Sequence, residues 1–152
     1  MDDNTKREII LENYTHPFNK VENDINGYIK VNTNNESCID NINLYLKIEN
    51  DVLEDIKFSG EACAISTSST SIMLKNLIGK NIAEIEKFID NFNNMIEEQE
   101  YNEEMLKEGI AFSEIYKQAN RKTCVILPYL GIKKALKKYK DSYEQNWLYK
   151  AI

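Results

Sequence analysis

Apolar residues in "REIILENY" (7–14) recur at helical spacing through Ile9, Ile10 and Tyr14, and the run stops before His16-Pro17, where proline disfavours helix in its predecessor. The period then shortens to two. "GYIKVNT" sets Ile29, Val31 and Thr33 against Tyr28 and Lys30, and "NINLYLKIE" sets Ile42, Leu44, Leu46 and Ile48 against Asn43 and Lys47. "VLEDIKF" places Val52, Ile56 and Phe58 on one face, and Asn50-Asp51 suits a tight hairpin turn before it. The pattern predicts a short antiparallel meander with one buried face.

Helical spacing returns after Ser59-Gly60. A helix is predicted over 63–78 with Gly79 as its C-cap, and another over 81–97 through Ile82, Ile85, Phe88, Ile89, Phe92 and Ile96. A polar, acidic stretch leads to "FSEIYKQA", read as a short helix, and a last helix spans roughly 122–140 with a tail containing Trp147. Strands first and helices afterwards define an α+β domain, with helices packed on one face of a three-stranded antiparallel sheet.

Composition narrows the function classes. The chain has 152 residues, 42% hydrophobic and 29% charged, which suits one domain with a real core. Net charge is −6, which argues against a broad nucleic-acid-binding face. No apolar run is long enough to span a membrane, and the charged start "MDDNTKREII" lacks a signal-peptide core; both point to the cytoplasm. Nine acids fall between 84 and 108 and five lysines between 131 and 140, a pattern that solvated helix faces explain and a docking surface could also use.

Three cysteines are too few and too odd in number for a closed disulfide framework. Cys38 lies in the polar turn "NNESCIDNIN", Cys63 opens the helix after the third strand, and Cys124 opens the last helix in "NRKTCVILPY". None belongs to a local CxxC spacing. All three sit at element ends, and a helix N-terminus favours the thiolate that binds metal or attacks sulfur. Each alone would be unremarkable as a small buried hydrophobe. Asp40, two residues after Cys38, completes a Cys3Asp set that suits a tetrahedral zinc ion. The sole histidine, His16, reads as structural or surface rather than as a ligand.

These stretches together resemble the U-type iron–sulfur cluster assembly proteins, the SufU, IscU and NifU N-terminal family, to about Tyr139. "LENYTHPFNK" is similar to the family's helix and H/N-P-x-N-K turn, and Cys38-Ile39-Asp40 to its C-G-D. "DIKFSGEACAISTSSTSIM" is similar to its F-x-G-x-G/A-C-x-I-S-x-A-S-x-S-x-M segment, and "RKTCVILPYLGIKKAL" to its third-cysteine helix. Thr123 stands where IscU-type members carry a histidine, and "YKQANR" where they carry L-P-P-V-K. With an insertion at roughly 98–118, this places the chain nearest the SufU branch.

The resemblance implies a SufE/NifU-like fold over 1–152, with 140–152 as a C-terminal extension. It implies that Cys38, Asp40, Cys63 and Cys124 bind one zinc ion, and that Cys38 accepts persulfide sulfur from a pyridoxal-phosphate cysteine desulfurase. Arg121 matches an arginine just upstream of the third cysteine, a charge partner for the thiolate or the desulfurase. The alternatives are a scaffold on which Cys38, Cys63 and Cys124 hold a transient [2Fe–2S] cluster or iron for downstream assembly or recipient proteins, and a non-catalytic zinc-stabilised adaptor. Two departures carry expectations. Ile39 replaces glycine, so the Cys38–Asp40 turn is expected to be shaped differently, which puts Asp40 most in question. Pro128 falls inside the last helix, which is expected to start late or kink.

Overall fold

A computed structural model describes residues 1–151, with side chains described through 143. The element order is α1 (Asp3–Thr15), β1 (Ile29–Asn34), β2 (Asn41–Glu49), β3 (Val52–Glu61), α2 (Ala64–Leu77), α3 (Ile82–Ile96), α4 (Glu103–Leu106) and α5 (Ala119–Ala151). The sheet is antiparallel in the order β1-β2-β3, with Val31 opposite Leu44 and Leu44 opposite Phe58. This is the α+β architecture predicted from the pattern. Asn50 and Asp51 have φ of 52° and 62°, the two left-handed residues that a tight hairpin turn demands.

The inner face of β2 (Ile42, Leu44, Leu46) meets Leu53, Ile56 and Phe58 of β3 and the apolar sides of α2, α3 and α5. Leu53, rather than the expected Val52, enters this core. A bulge lies between Lys47 and Ile48, so Lys47 pairs with Asp55 while Ile48 pairs with Leu53, and the extra residue Glu54 inverts the alternation. Tyr45, on the opposite face, is buried as well; its hydroxyl bonds Asp24 Oδ1 at 2.6 Å and Ser59 Oγ at 2.8 Å.

Helix α2 is buried along almost its whole length, which explains its run of six small hydroxyl residues, 66–71. They admit α1 and α5 closely, and their hydroxyls find partners: Thr70 Oγ1 donates to Ser66 O at 2.7 Å and Ser71 Oγ to Asn13 Oδ1 at 2.8 Å. Helix α5 neither starts late nor stops at Pro128; it starts at Ala119 and runs through the proline. Proline supplies no N–H to the carbonyl four residues back and crowds that turn. Side-chain hydroxyls bond the carbonyls there: Ser66 Oγ lies 3.1 Å from Cys124 O, Ser69 Oγ donates to Val125 O at 2.6 Å, and Thr33 Oγ1 donates to Leu127 O at 3.0 Å.

The expected helix at "FSEIYKQA" is instead the end of one 3-10 turn (Lys107–Phe112) and a second (Ile115–Lys117). Glu108 anchors this insertion, ion-pairing with Lys75 at 3.1 Å. The side chain of Trp147 lies outside the described residues. Among the described residues no helix is long and apolar enough to cross a membrane.

Gly60 has φ +113° and its α-carbon faces the Asn41 carbonyl so closely that a Cβ could not fit. Gly60→Ala is therefore expected to destabilise the chain by about 2 kcal/mol or more, read as a lower urea midpoint. An unchanged midpoint would mean that β2 and β3 separate there at no cost.

Candidate metal centre

Two connections and the N-terminal part of α5 meet at one end of the sheet. The β1–β2 turn carries Cys38 at its tip, held by Asn35: the Cys38 N–H donates to Asn35 O at 3.0 Å, and Ser37 Oγ donates to Asn35 Oδ1 at 2.7 Å. Ile39 is 68% exposed and is absent from the residues with positive φ. The glycine-to-isoleucine departure therefore imposes no left-handed strain on the turn. It leaves Asp40 1% exposed, pointing into the protein.

Cys63 is the N-cap of α2, its sulfur accepting the Ser66 N–H at 3.4 Å. The Cys63 N–H in turn donates to Asp40 Oδ1 at 2.7 Å, and Ser66 Oγ donates to Asp40 Oδ2 at 2.5 Å. Burial opposes ionisation of Asp40. The hydrogen bonds from Ser66, the Cys63 amide and the two neighbouring thiols overcome it, so the carboxyl is held below its usual range.

Cys124 corrects the reading of two thiols at helix starts. Because α5 begins at Ala119, Cys124 lies past its first turn, is only 9% exposed, and donates its S–H to Asn120 O at 3.6 Å. Burial first, then the Cys63 sulfur and the Asp40 carboxylate, push its thiol up to about 12. A helix terminus does not activate it; loss of its proton needs a cation.

One ligand atom from each of Cys38, Asp40, Cys63 and Cys124 lies within 4.8 Å of every other. Zinc bound tetrahedrally at about 2.3 Å to sulfur and 2.0–2.2 Å to carboxylate oxygen holds its donors somewhat under 4 Å apart, so small side-chain rotations suffice. Three soft sulfurs and one carboxylate, the latter already fixed by two donors, fit such an ion. Exposure is graded: Cys38 is exposed, Cys63 half-buried and Cys124 buried.

The other sequence candidates fall outside the cluster. His16 is exposed and lies 3.4 Å from Glu12. Arg121 is exposed and forms no salt bridge among the described residues. The sequence motif assigns Ser66 no role, yet the residue touches Asp40, Cys63 and Cys124, three of the four candidate ligands. Its signal was there: Cys63 and Ser66 stand at N-cap and N3, the spacing at which a cap meets the first turn.

A three-stranded antiparallel sheet thus carries at one end a Cys3Asp cluster that could hold a metal ion. The chain matches the NifU-like N-terminal domain over residues 5–146, and it belongs to that family. It is 40% identical over 104 residues to the iron–sulfur cluster assembly scaffold protein IscU of Thermotoga maritima, covering 68% of this chain and 73% of that one. It is 33% identical over 137 residues to the zinc-dependent sulfurtransferase SufU of Bacillus subtilis, covering 90% and 92% respectively. A crystal structure of an iron–sulfur cluster assembly scaffold protein for the SUF system of Fervidobacterium islandicum superposes with a TM-score of 0.76 at 31% identity, covering 85% of this chain and 94% of that one.

Proposed function

We propose that this protein serves iron–sulfur cluster assembly as a zinc-dependent sulfur acceptor, with Cys38, Asp40, Cys63 and Cys124 as the ligands and Cys38 as the acceptor thiol. The observation that carries the reading is the graded exposure of three thiols gathered within 4.8 Å: one can meet a partner while two are held inside. The alignment with the Bacillus sulfurtransferase covers 90% of this chain, against 68% for the Thermotoga scaffold, which favours transfer over scaffolding.

Sulfur transfer here balances without an external oxidant. The Cys38 thiolate attacks the terminal sulfur of a persulfide on a pyridoxal-phosphate cysteine desulfurase; a Cys38 sulfur–sulfur bond forms, the donor's sulfur–sulfur bond breaks, and the donor cysteine leaves as thiolate. Bound zinc would supply the positive charge that keeps the thiols ionised. Asp40 and Ser66 hold the inner wall, and the short turn lets Cys38 reach outward. The test is to add the protein to a cysteine desulfurase and follow alanine formation, which is expected to accelerate; an unchanged rate would remove the proposal.

The scaffold reading has one observation in its favour. The same four residues could hold a nascent [2Fe–2S] cluster as cargo, since thiolates suit iron as well as zinc, and the Thermotoga relative is named a scaffold. Anaerobic reconstitution with iron and sulfide would then give a coloured cluster without stimulating the desulfurase.

Metal uptake has a pH signature. Since the Cys124 thiol is pushed up to about 12, binding at neutral pH releases its proton. Apparent zinc affinity is therefore expected to rise by about tenfold per pH unit from this group alone, measured by chelator competition between about pH 6 and 8. A flat profile would mean that Cys124 is not a ligand.

A further inference from the structure

We propose that Ser66 is a positioning residue of the metal centre, whose single hydroxyl ties the Asp40 carboxylate to the turn of α5 that carries Cys124. The inference rests on reading the four residues as a metal site. Ser66 is fully buried, and its Oγ lies 2.5 Å from Asp40 Oδ2, 3.1 Å from Cys124 O and 3.5 Å from Cys63 Sγ. One side chain of α2 thus bridges the β1–β2 turn and α5.

The need for the bridge comes from Pro128. The Cys124 carbonyl would ordinarily accept the N–H of residue 128, and proline has none. A buried carbonyl without a donor is costly, and the Ser66 hydroxyl is the side-chain donor that reaches it among the described residues. The hydroxyl has one proton and two acceptors. The shorter distance assigns it to the carboxylate, with the carbonyl on the longer limb of a bifurcated bond.

The consequence for the site is orientation. With Oδ1 held by the Cys63 N–H and Oδ2 by Ser66, the Asp40 carboxylate cannot rotate, while each oxygen keeps a lone pair for a metal ion. Without Ser66, Oδ2 is free to turn away and the Cys124 turn loses its tie. Ser69 provides an internal comparison: it too is a buried α2 serine donating to an α5 carbonyl, Val125 O, but it touches none of the four ligands.

Cobalt(II) is the probe, titrated into metal-free wild type, Ser66→Ala and Ser69→Ala, with affinity and the visible bands of the thiolate-bound ion as readouts. Both variants are expected to melt lower than wild type. Ser66→Ala should also bind cobalt about 10- to 100-fold more weakly than Ser69→Ala and show displaced bands. Equal affinities and identical bands in the two variants would overturn the proposal while leaving the metal reading intact. A wild-type chain that takes up no cobalt would overturn the metal reading and this one with it. Should Ser66→Ala fail to fold, Ser66→Ala/Pro128→Ala, in which residue 128 again supplies an N–H to Cys124, is compared with Pro128→Ala by the same criterion.

Discussion

A Cys63→Ser chain is expected to lose stoichiometric zinc and, with it, about 10 °C of the melting temperature of the zinc-loaded protein. The magnitude follows from mass action. A ligand present at a thousand times its Kd stabilises by about 4 kcal/mol, and each kcal/mol moves the midpoint of a domain this size by about 2–4 °C. Serine is a good choice because Cys63 is also the N-cap of α2, its sulfur taking the Ser66 N–H. A hydroxyl caps a helix at least as well as a thiol. The metal-free variant should therefore melt within a few degrees of metal-free wild type, and the loss appears only in the zinc-loaded comparison. Equal melting of the two loaded proteins would show that the metal does not hold the two connections and α5 together.

The second large effect is expected from Cys38→Ala. Cys38 sits on an exposed turn whose shape depends on Asn35 and Ser37, not on the sulfur. Truncating an exposed side chain changes stability by no more than about 0.5 kcal/mol, so the variant should fold and melt normally in its metal-free form. Its effect on a cysteine desulfurase should nonetheless vanish, with alanine formation falling to the rate of the desulfurase alone. Cys63 and Cys124 cannot substitute, because one is half-buried against Asp40 and the other lies in the core. Retained stimulation would move the acceptor role away from Cys38.

Much of this architecture was legible in the sequence because the deciding signals are local. Period-two runs marked β1 and β2, Asn50-Asp51 marked the turn, and Gly79 at φ +84° closed α2. The four residues of the cluster were also named from the chain, since each lies at or near the junction of two elements. What escaped depends on contacts between elements. Alternation pointed to Val52, but the bulge at Glu54 put Leu53 inside. Pro128 suggests a late start for α5, which begins at Ala119 instead, and nothing local reveals that Ser66, Ser69 and Thr33 will bond the carbonyls around it. Helix α5 starts ahead of Cys124, so a thiol expected at a helix start is instead buried and its proton is held more tightly. Ile39 is expected to reshape the Cys38–Asp40 turn because glycine can use positive φ; residue 39 has no positive φ here, and Asp40 still joins the cluster.

Where sulfur lands decides which thiol is the acceptor. The zinc-loaded protein is incubated with a cysteine desulfurase and L-cysteine, alkylated, digested and mapped by mass spectrometry. One added sulfur atom is expected on the peptide containing Cys38, with none on the peptides of Cys63 and Cys124. Added sulfur confined to the Cys63 or Cys124 peptide, or on none of the three, would contradict Cys38 as the acceptor.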